Sequence, residues 1–230
     1  MNPGMPGPIL TVDVGGSHVK ALLSGMELSE RRRFPSGPHL TAKEMADGVV
    51  ELVEGWSFDR VSVGIPAPVR GGKVVSEPIN LGDGWVAFDY EGVFRVPTRL
   101  VNDAVMQAIG SYEGGRMLFL GLGTGLGSAL IADGVVLPME LGHLPFKKKT
   151  FEDYVSEREL KRVGKKQWRK EVFETVAKLV AAIQPDYVVL GGGSTDDLDE
   201  LPPNSRRGDN ENAFAGGFRL WEPDWAAHLG

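Results

Sequence analysis

Two glycine-rich turns carry the residues of this chain that are best suited to chemistry. The first runs from Asp13 to Lys20 and reads Asp-Val-Gly-Gly-Ser-His-Val-Lys; the second, Gly121 to Ser128, reads Gly-Leu-Gly-Thr-Gly-Leu-Gly-Ser. Glycine lets backbone N–H groups approach a phosphate because no Cβ stands in the way. Between the two turns, Asn102-Asp103 ends a short apolar run. Two such turns with a strand-end carboxylate make phosphoryl transfer the leading hypothesis.

The first turn combines a carboxylate, two glycines, a hydroxyl and an amine, namely Asp13, Gly15, Gly16, Ser17 and Lys20. We predict that they bind phosphate and that Asp13 holds a magnesium ion through water, since hard cations prefer carboxylate oxygens. Taken alone, one pair of glycines favours a hairpin without a ligand. The spacing also matches neither the dinucleotide-binding fingerprint nor the Walker loop.

The second turn is denser in glycine. Four glycines in seven residues would weaken a plain strand pair, so a close approach of backbone to a ligand explains them better than a structural kink. The predicted phosphate-binding residues here are Gly123, Thr124, Gly125 and Gly127.

Asn102 and Asp103 end a predicted strand and open a predicted helix. One interpretation is a helix cap, because Asp is among the best capping residues. The other gives Asp103 the role of general base, taking a proton from an attacking hydroxyl, with Asn102 bonded to a neighbouring hydroxyl.

Glu140 and His143 lie three residues apart in a segment that contains glycine. A lone histidine is more often structural than catalytic. A carboxylate and an imidazole at this spacing are also suited to binding the vicinal hydroxyls of a sugar.

The stretch from His143 to Lys178 is basic, with eleven Lys or Arg and six Asp or Glu, whereas the whole chain has a formal net charge of -6. A solvated helical face is the general explanation for such a stretch. The functional alternative is an electropositive wall that gathers a polyanionic substrate. Within this stretch, Lys147, Lys148 and Lys149 are the strongest candidates for such a wall.

Composition excludes several classes of protein. The 230 residues contain no cysteine, so disulfides and thiolate metal sites are excluded. The net negative charge argues against non-specific nucleic-acid binding, and no apolar run is long enough to span a bilayer. Residues Met1 to Pro8 lack the features of a signal peptide, so we expect a cytoplasmic protein with neither nucleic-acid nor membrane partners.

The elements that must position these residues alternate between strands and helices. We predict two related α/β lobes, 1–107 completed by a helix at about 212–220, and 108–211, with a ligand cleft at their interface. Thr41 caps a helix that reaches about Glu54, and Asp133-Gly134 turns a hairpin. We also predict a strand at 27–34, helices at 151–163 and 167–183, and a loop or poorly ordered segment at 194–212.

Seven motifs occur in the order seen in bacterial ROK-family sugar kinases, which the chain therefore resembles over most of residues 9 to 193. They are Asp13-Val14-Gly15-Gly16-Ser17, Gly64-Ile65-Pro66-Ala67-Pro68-Val69, Asn80-Leu81, Asn102-Asp103-Ala104, Gly123-Thr124-Gly125-Leu126-Gly127, Glu140-Leu141-Gly142-His143 and Leu190-Gly191-Gly192-Gly193.

The resemblance implies an α/β fold of the ribonuclease-H-like (actin/hexokinase) type, with two lobes and a cleft between them. It implies Asp103 as catalytic base and phosphate binding by both glycine turns, with Gly191, Gly192 and Gly193 near the donor. The sugar ligands that it implies are Asn80, Asn102, Asp103, Glu140, His143 and Glu152.

The chain departs from the family in two ways. Typical members build a zinc site from three cysteines just after the Glu-x-Gly-His motif, whereas this chain has Lys147-Lys148-Lys149-Thr150 there and no cysteine. We therefore expect no zinc. The chain is also short for the family, and both departures resemble the polyphosphate glucokinase branch.

These features together predict a glucokinase that transfers a phosphoryl group from polyphosphate and/or ATP to the 6-hydroxyl of glucose, with magnesium. The alternatives are an ATP-dependent kinase for an N-acylhexosamine and a non-catalytic sugar-sensing protein. Only about eight residues precede the first predicted strand, which argues against an N-terminal DNA-binding motif. A homodimer is the expectation from the family.

Overall fold

A computed structural model describes residues 7–209 and 211–226 of the chain. Most of the N-terminal segment considered for a signal peptide, 1–6, lies outside the described residues. The chain divides into two compact units, the first comprising Met1–Met106 with Ala213–Gly230 and the second Gln107–Asn212. The division into lobes at 1–107 with about 212–220, and at 108–211, stays a prediction.

The strands are β1 (Ile9–Val14), β2 (His18–Leu23), β3 (Arg32–Pro35), β4 (Arg60–Ile65), β5 (Val69–Arg70), β6 (Lys73–Val74), β7 (Thr98–Asn102), β8 (Arg116–Leu122), β9 (Leu126–Ala132), β10 (Val135–Met139), β11 (Pro145–Phe146), β12 (Lys149–Thr150), β13 (Tyr187–Gly191) and β14 (Ser205–Arg207). The α-helices are α1 (Ala42–Leu52), α2 (Tyr90–Phe94), α3 (Asp103–Ser111), α4 (Phe151–Val155), α5 (Glu157–Val163), α6 (Lys165–Ile183), α7 (Asn212–Arg219) and α8 (Pro223–Ala226).

The first unit is built on a five-stranded sheet in the order β3-β2-β1-β4-β7. The predicted hairpin is confirmed, because β1 pairs with β2 in antiparallel register and Asp13 lies opposite Lys20. Strands β1, β4 and β7 are parallel. The carboxyl ends of these three strands therefore meet at one edge of the sheet, where both Asp13 and Asn102 lie.

Helices cover this sheet. The predicted cap of α1 is confirmed, since the Thr41 hydroxyl accepts from the Glu44 N–H and the Glu44 carboxylate accepts from the Thr41 N–H. Helix α7, near the C-terminus, packs on the same unit. The Ser62 hydroxyl there donates to the Gly217 carbonyl at 2.6 Å. The Trp221 indole N–H, just beyond α7, donates to the Ser62 hydroxyl at 2.9 Å.

The second unit repeats this topology. Its sheet has the order β10-β9-β8-β13-β14, with an antiparallel β8–β9–β10 meander and parallel β8, β13 and β14. The predicted turn at Asp133-Gly134 is confirmed, and both residues have positive φ (50° and 83°). Helices α4, α5 and α6 pack on the sheet around the fully buried Trp168, whose indole N–H donates to the Val155 carbonyl at 2.9 Å.

Three predicted elements differ from the structure. Residues 28–30 form a 3-10 turn, so the predicted third strand is confined to β3. The predicted helix at 151–163 is two helices that meet at Ser156, whose backbone is extended. The segment predicted as loop or poorly ordered contains a 3-10 turn at Gly193–Asp197 and strand β14, which pairs in parallel with β13. Residue 210 of that segment lies outside the described residues.

The edge strand β14 is anchored by side chains rather than by an apolar pattern. The Arg207 guanidinium donates to the carbonyls of Thr195 and Leu198, and Arg206 forms an ion pair with Glu113 at 3.1 Å. Long-range bonds of this kind leave no periodic trace in the sequence, which explains why the strand was missed. None of the described helices combines the length and the apolar character needed to cross a membrane.

Candidate active site

The first unit brings three predicted site residues to one edge of its sheet. Asp13 on β1 lies beside Gly64 on β4, and Asn102 on β7 lies beside Ile65 on β4. Helix α3 starts at Asp103, directly after β7. A Cβ on Gly64 would lie 3.5 Å from the Asp103 Cα and would overlap the Met106 side chain, so glycine at this position lets α3 start close to the sheet.

Asp13 is buried and has one charged partner. Its carboxylate Oδ2 lies 3.3 Å from the Lys20 ammonium, and the residue is 5% exposed. Burial raises the pKa of the Asp13 carboxyl, and the Lys20 charge opposes that rise. The pairing also neutralises Lys20 in part, so the two residues act as one polar group beneath the glycine turn.

Asp13 fits a magnesium ion only in the water-mediated way predicted from the sequence. Magnesium is usually held by one or two carboxylates, several waters and the phosphates of the substrate. Among residues 7–209 and 211–226, no group of three or more His, Asp or Glu side chains is arranged to hold a metal. A single carboxylate beside a phosphate-binding turn is compatible with that mode of binding.

Asn102, and not Asp103, occupies the capping position of α3. The Asn102 side-chain oxygen accepts from the N–H groups of Ala104 at 2.9 Å and Val105 at 3.3 Å, while its amide donates to the Ala67 carbonyl at 3.2 Å. One of its two amide N–H groups is thus already engaged. Asp103 lies in the first turn of the helix, where the helix dipole favours an ionised carboxylate.

The first glycine turn is held from the neighbouring strand. Ser36, just after β3, donates through its hydroxyl to the Gly15 carbonyl at 2.5 Å and through its N–H to the Ser17 carbonyl at 3.0 Å. Gly16 and Ser17 are exposed, as is Asn80 in the loop between β6 and α2. Ser36 could not be predicted from the sequence, because no local pattern links it to a turn about twenty residues earlier in the chain.

In the second unit, the second glycine turn lies beside the glycines at 191–193, which form a further turn. Strands β8 and β13 are parallel neighbours with Gly121 beside Gly191, so both turns leave the sheet at the same edge. Gly192 has a φ of +83°, and a Cβ there would overlap the Leu122 backbone. Glycine is therefore required at 192 by the close approach of the two turns. Thr124 lies exposed at the tip of the second turn.

The Glu140–His143 segment is fixed beside the second turn by Ser128. The Ser128 hydroxyl donates to the Met139 carbonyl at 2.9 Å and accepts from the Leu141 N–H at 3.0 Å. His143 is exposed.

Three predicted sugar ligands of the second unit influence one another electrostatically. Although Glu140 is an exposed residue, surrounding protein atoms desolvate its carboxylate and raise its pKa; His143 opposes this rise and Glu152 adds to it. The Glu140 carboxylate therefore lies near both His143 and Glu152.

Glu152 also contacts the second glycine turn directly. Its carboxylate Oε2 accepts from the Leu126 N–H at 3.1 Å, and a Cβ on Gly125 would overlap that oxygen. The resemblance implied a sugar ligand at this position and gave no sign of the contact with the turn.

The three lysines predicted as a polyphosphate wall are placed differently from one another. Lys147 has a φ of 54°, forms ion pairs with Glu171 and, at 2.8 Å, with Glu174, and lies over the rings of Phe146 and Tyr154. Lys148 and Lys149 are exposed, and no acidic group of the described residues lies within ion-pair distance (4.0 Å) of either. The basic character that faces solvent in this run thus belongs to Lys148 and Lys149.

A concave surface of about 770 Å³ lies elsewhere in the first unit, lined by residues 34–40 and by α1 residues such as Glu44 and Glu51. None of its lining residues belongs to the predicted site. The carboxylates and glycine turns of the predicted site lie at the strand ends. The predicted site is therefore separate from this concave surface.

Comparison with known proteins places the chain among sugar kinases. The model of the ROK family matches residues 9–152. The polyphosphate glucokinase of Mycobacterium tuberculosis (strain ATCC 25177 / H37Ra) is 27% identical over 212 residues, which cover 84% of this chain and 80% of that protein. A glucokinase of Pyrobaculum calidifontis is 30% identical over 148 residues, which cover 58% of this chain and 48% of that protein.

The fold is also shared with solved structures. The crystal structure of the inorganic polyphosphate/ATP-glucomannokinase from Arthrobacter sp. strain KM superposes with a TM-score of 0.79 at 24% identity, covering 91% of this chain and 96% of that one. The mixed α/β fold of the actin/hexokinase-like class, predicted from the sequence, is thereby confirmed.

Proposed function

Because this chain belongs to the ROK family, we propose that it is a sugar kinase that transfers a phosphoryl group to the 6-hydroxyl of glucose. The observation that carries the proposal is the meeting of Asp13, Asn102 and Asp103 at the carboxyl ends of the parallel strands β1, β4 and β7. Ligands of open α/β sheets bind at this edge. The relatives with glucokinase names support glucose as the acceptor.

Asp103 is the proposed general base. Its carboxylate takes the proton of the sugar 6-hydroxyl while the hydroxyl oxygen forms a bond to the terminal phosphorus of the donor. The bond between that phosphorus and its bridging oxygen breaks, and the electron pair leaves with the shortened donor. The position of Asp103 in the first turn of α3 favours the ionised form that a base requires.

Sugar hydroxyls are the proposed ligands of Asn80 and Asn102 in the first unit and of Glu140, His143 and Glu152 in the second. The fixing of Glu140 and His143 beside Ser128 supports this role, because a pre-positioned ligand loses little entropy on binding. The remaining N–H of Asn102 has its orientation set by the cap of α3, so it is also pre-positioned.

Donor phosphates are the proposed ligands of the glycine turns and of Lys20, with Gly191 to Gly193 beside the second turn. Asp13 would hold magnesium through water, and the ion would neutralise charge on the donor oxygens. Lys148 and Lys149 would attract a polyanionic donor, a role for which Lys147 is less suited because two carboxylates neutralise it. We propose polyphosphate, ATP or both as donors and a homodimer as the assembly.

A coupled assay tests the proposal. The purified protein is offered glucose or N-acetylmannosamine with polyphosphate, ATP or GTP in the presence of magnesium, and formation of sugar phosphate is measured. We expect glucose 6-phosphate with polyphosphate, ATP or both. Phosphorylation of N-acetylmannosamine in preference to glucose would favour the N-acylhexosamine kinase, and glucose binding without turnover on any donor would favour a sugar-sensing protein.

A further inference from the structure

Glu152 is the one proposed sugar ligand that touches a proposed phosphate-binding turn. Resting on the proposed function, we infer that Glu152 is a positioning residue, whose carboxylate holds the second glycine turn in the shape that receives the phosphoryl donor. Glu152 contacts the second turn at Gly125 and Leu126, and all three residues belong to the second unit.

The contact needs an acceptor oxygen on the side chain at 152 and open space at Gly125. Oxygen Oε2 of Glu152 accepts from the Leu126 N–H at 3.1 Å, and it occupies the space that a side chain on Gly125 would need. A side chain at 125 would therefore displace the Glu152 carboxylate from this bond, whether or not a phosphate binds. The same bond removes the Leu126 N–H from the set of donors that the turn offers to a phosphate.

The corner between α4 and α5 holds the other side of the turn. The Glu157 N–H donates to the Gly123 carbonyl at 2.7 Å, and the Gly123 N–H donates to the Gly125 carbonyl at 3.1 Å. The break at Ser156 allows this arrangement, because an unbroken helix would bond the Glu157 N–H to a carbonyl four residues earlier within the helix. Both ends of the turn are thus fixed by one short segment of chain.

Glu152 is itself held rigidly. Thr150 and Asp153 form a capping box at the start of α4. Phe151 is buried, stacks on Phe146 with 4.6 Å between ring centroids, and donates through its N–H to the Leu144 carbonyl at 3.1 Å. These contacts fix the backbone on either side of Glu152, so only its side chain has to be ordered to bond the glycine-rich turn.

Electrostatics distinguish a positioning role from direct donor binding. A carboxylate beside a phosphate repels it, so Glu152 does not assist donor binding through its charge. Its contribution to the turn is that of a hydrogen-bond acceptor. A glutamine at 152 keeps an acceptor oxygen at the same reach and removes the charge, so it should preserve the turn.

Two variants, Glu152→Ala and Glu152→Gln, test the inference. Hydrogen exchange of the Leu126 amide is measured by NMR, and KM is measured separately for the donor and for glucose. We expect Glu152→Ala to accelerate exchange of the Leu126 amide and to raise the KM for the donor, each by about tenfold, the equivalent of one hydrogen bond to a charged group. Glu152→Gln should restore both values to within about threefold of wild type.

Glu113→Ala is the matched control. Glu113 is an acid of the same unit that precedes β8, whereas the glycine turn follows β8, and it pairs with Arg206. This variant should change neither the Leu126 amide nor the KM for the donor. Two results would overturn the inference. One is that Glu152→Gln shows the same Leu126 amide exchange rate and the same KM for the donor as Glu152→Ala. The other is that Glu152→Ala leaves the Leu126 exchange rate unchanged. Absence of phosphoryl transfer in the wild type would instead overturn the proposed function, while the exchange measurement would still test the contact.

Discussion

At the scale of single residues, the catalytic proposal depends on the ionised oxygen of Asp103. We expect Asp103→Asn to lower kcat by about 10²–10⁴, the usual contribution of a general base, because the amide cannot take the hydroxyl proton. The side chain keeps its size and stays in the first turn of α3, so the glucose Kd, measured by titration calorimetry, should change little. Turnover equal to that of the wild type would exclude Asp103 as the base.

A second prediction at this scale concerns the lysines. The double variant Lys148→Ala/Lys149→Ala should raise the KM for polyphosphate several-fold, roughly as expected for the loss of two exposed charges facing a polyanion, and should weaken its dependence on salt. The KM for glucose should stay constant. Identical KM values for polyphosphate before and after the change would reduce these lysines to a solvated surface.

At the scale of elements, the short hairpin of β11 and β12 takes the place at which family members build a zinc site. Aromatic packing holds this hairpin against α4, and one ion-paired lysine holds it against α6. Phe146 stacks on Phe151 and meets Tyr154 edge to face, and Lys147 reaches Glu171 and Glu174 on α6. This cluster fixes the start of α4, and with it Glu152.

Lys147→Ala should therefore act on stability more than on the donor. Its loss leaves Glu171, whose side chain is 11% exposed, without its cation, and we expect the free energy of unfolding to fall by about 1 kcal/mol. Denaturant unfolding measures this, with Lys166→Ala, an exposed lysine of α6, as the control. If Lys147→Ala weakened polyphosphate binding as much as the double variant does, Lys147 would belong to the donor surface after all.

At the scale of the whole molecule, the buried Asp13 makes stability depend on pH. Burial raises the pKa of its carboxyl above the ordinary value of 3.8, so the folded protein binds a proton more tightly than the unfolded chain does. Stability therefore falls as pH rises from about 3.8 through the raised pKa, because the buried carboxylate becomes charged over that range.

Asp13→Asn should remove this cost. We expect the variant to have a higher Tm than the wild type at pH 7, by about 2–4 °C for each kcal/mol recovered, and the difference should shrink as the pH is lowered towards 3.8. Thermal scans at several pH values measure it, and Asp47→Asn, an exposed residue paired with Lys43, should show no such trend. A Tm difference that is constant with pH would contradict the buried charge as its cause.

The sequence alone predicted most of the fold and the members of the candidate site. Strands, hairpins and the capped helix α1 follow from local rules, since alternation, turn residues and Thr41 act over a few neighbouring residues. Ordered motifs predicted the ROK resemblance, and the match to that family at residues 9–152 agrees with it. The density of glycine in the second turn, Gly125 included, predicted a close approach of backbone.

Only the tertiary structure decided what each of these residues contacts. The Glu152 carboxylate bonds Leu126, the Arg206 guanidinium of β14 pairs with Glu113, and Lys147 reaches Glu174 on α6; each contact joins positions far apart in the chain. Hydrogen bonds and ion pairs between distant residues have no period and no fixed spacing, so they cannot be read from a single sequence. The glycine turns thus indicated phosphate from sequence alone, while the partners that hold them in shape became visible only in the folded chain.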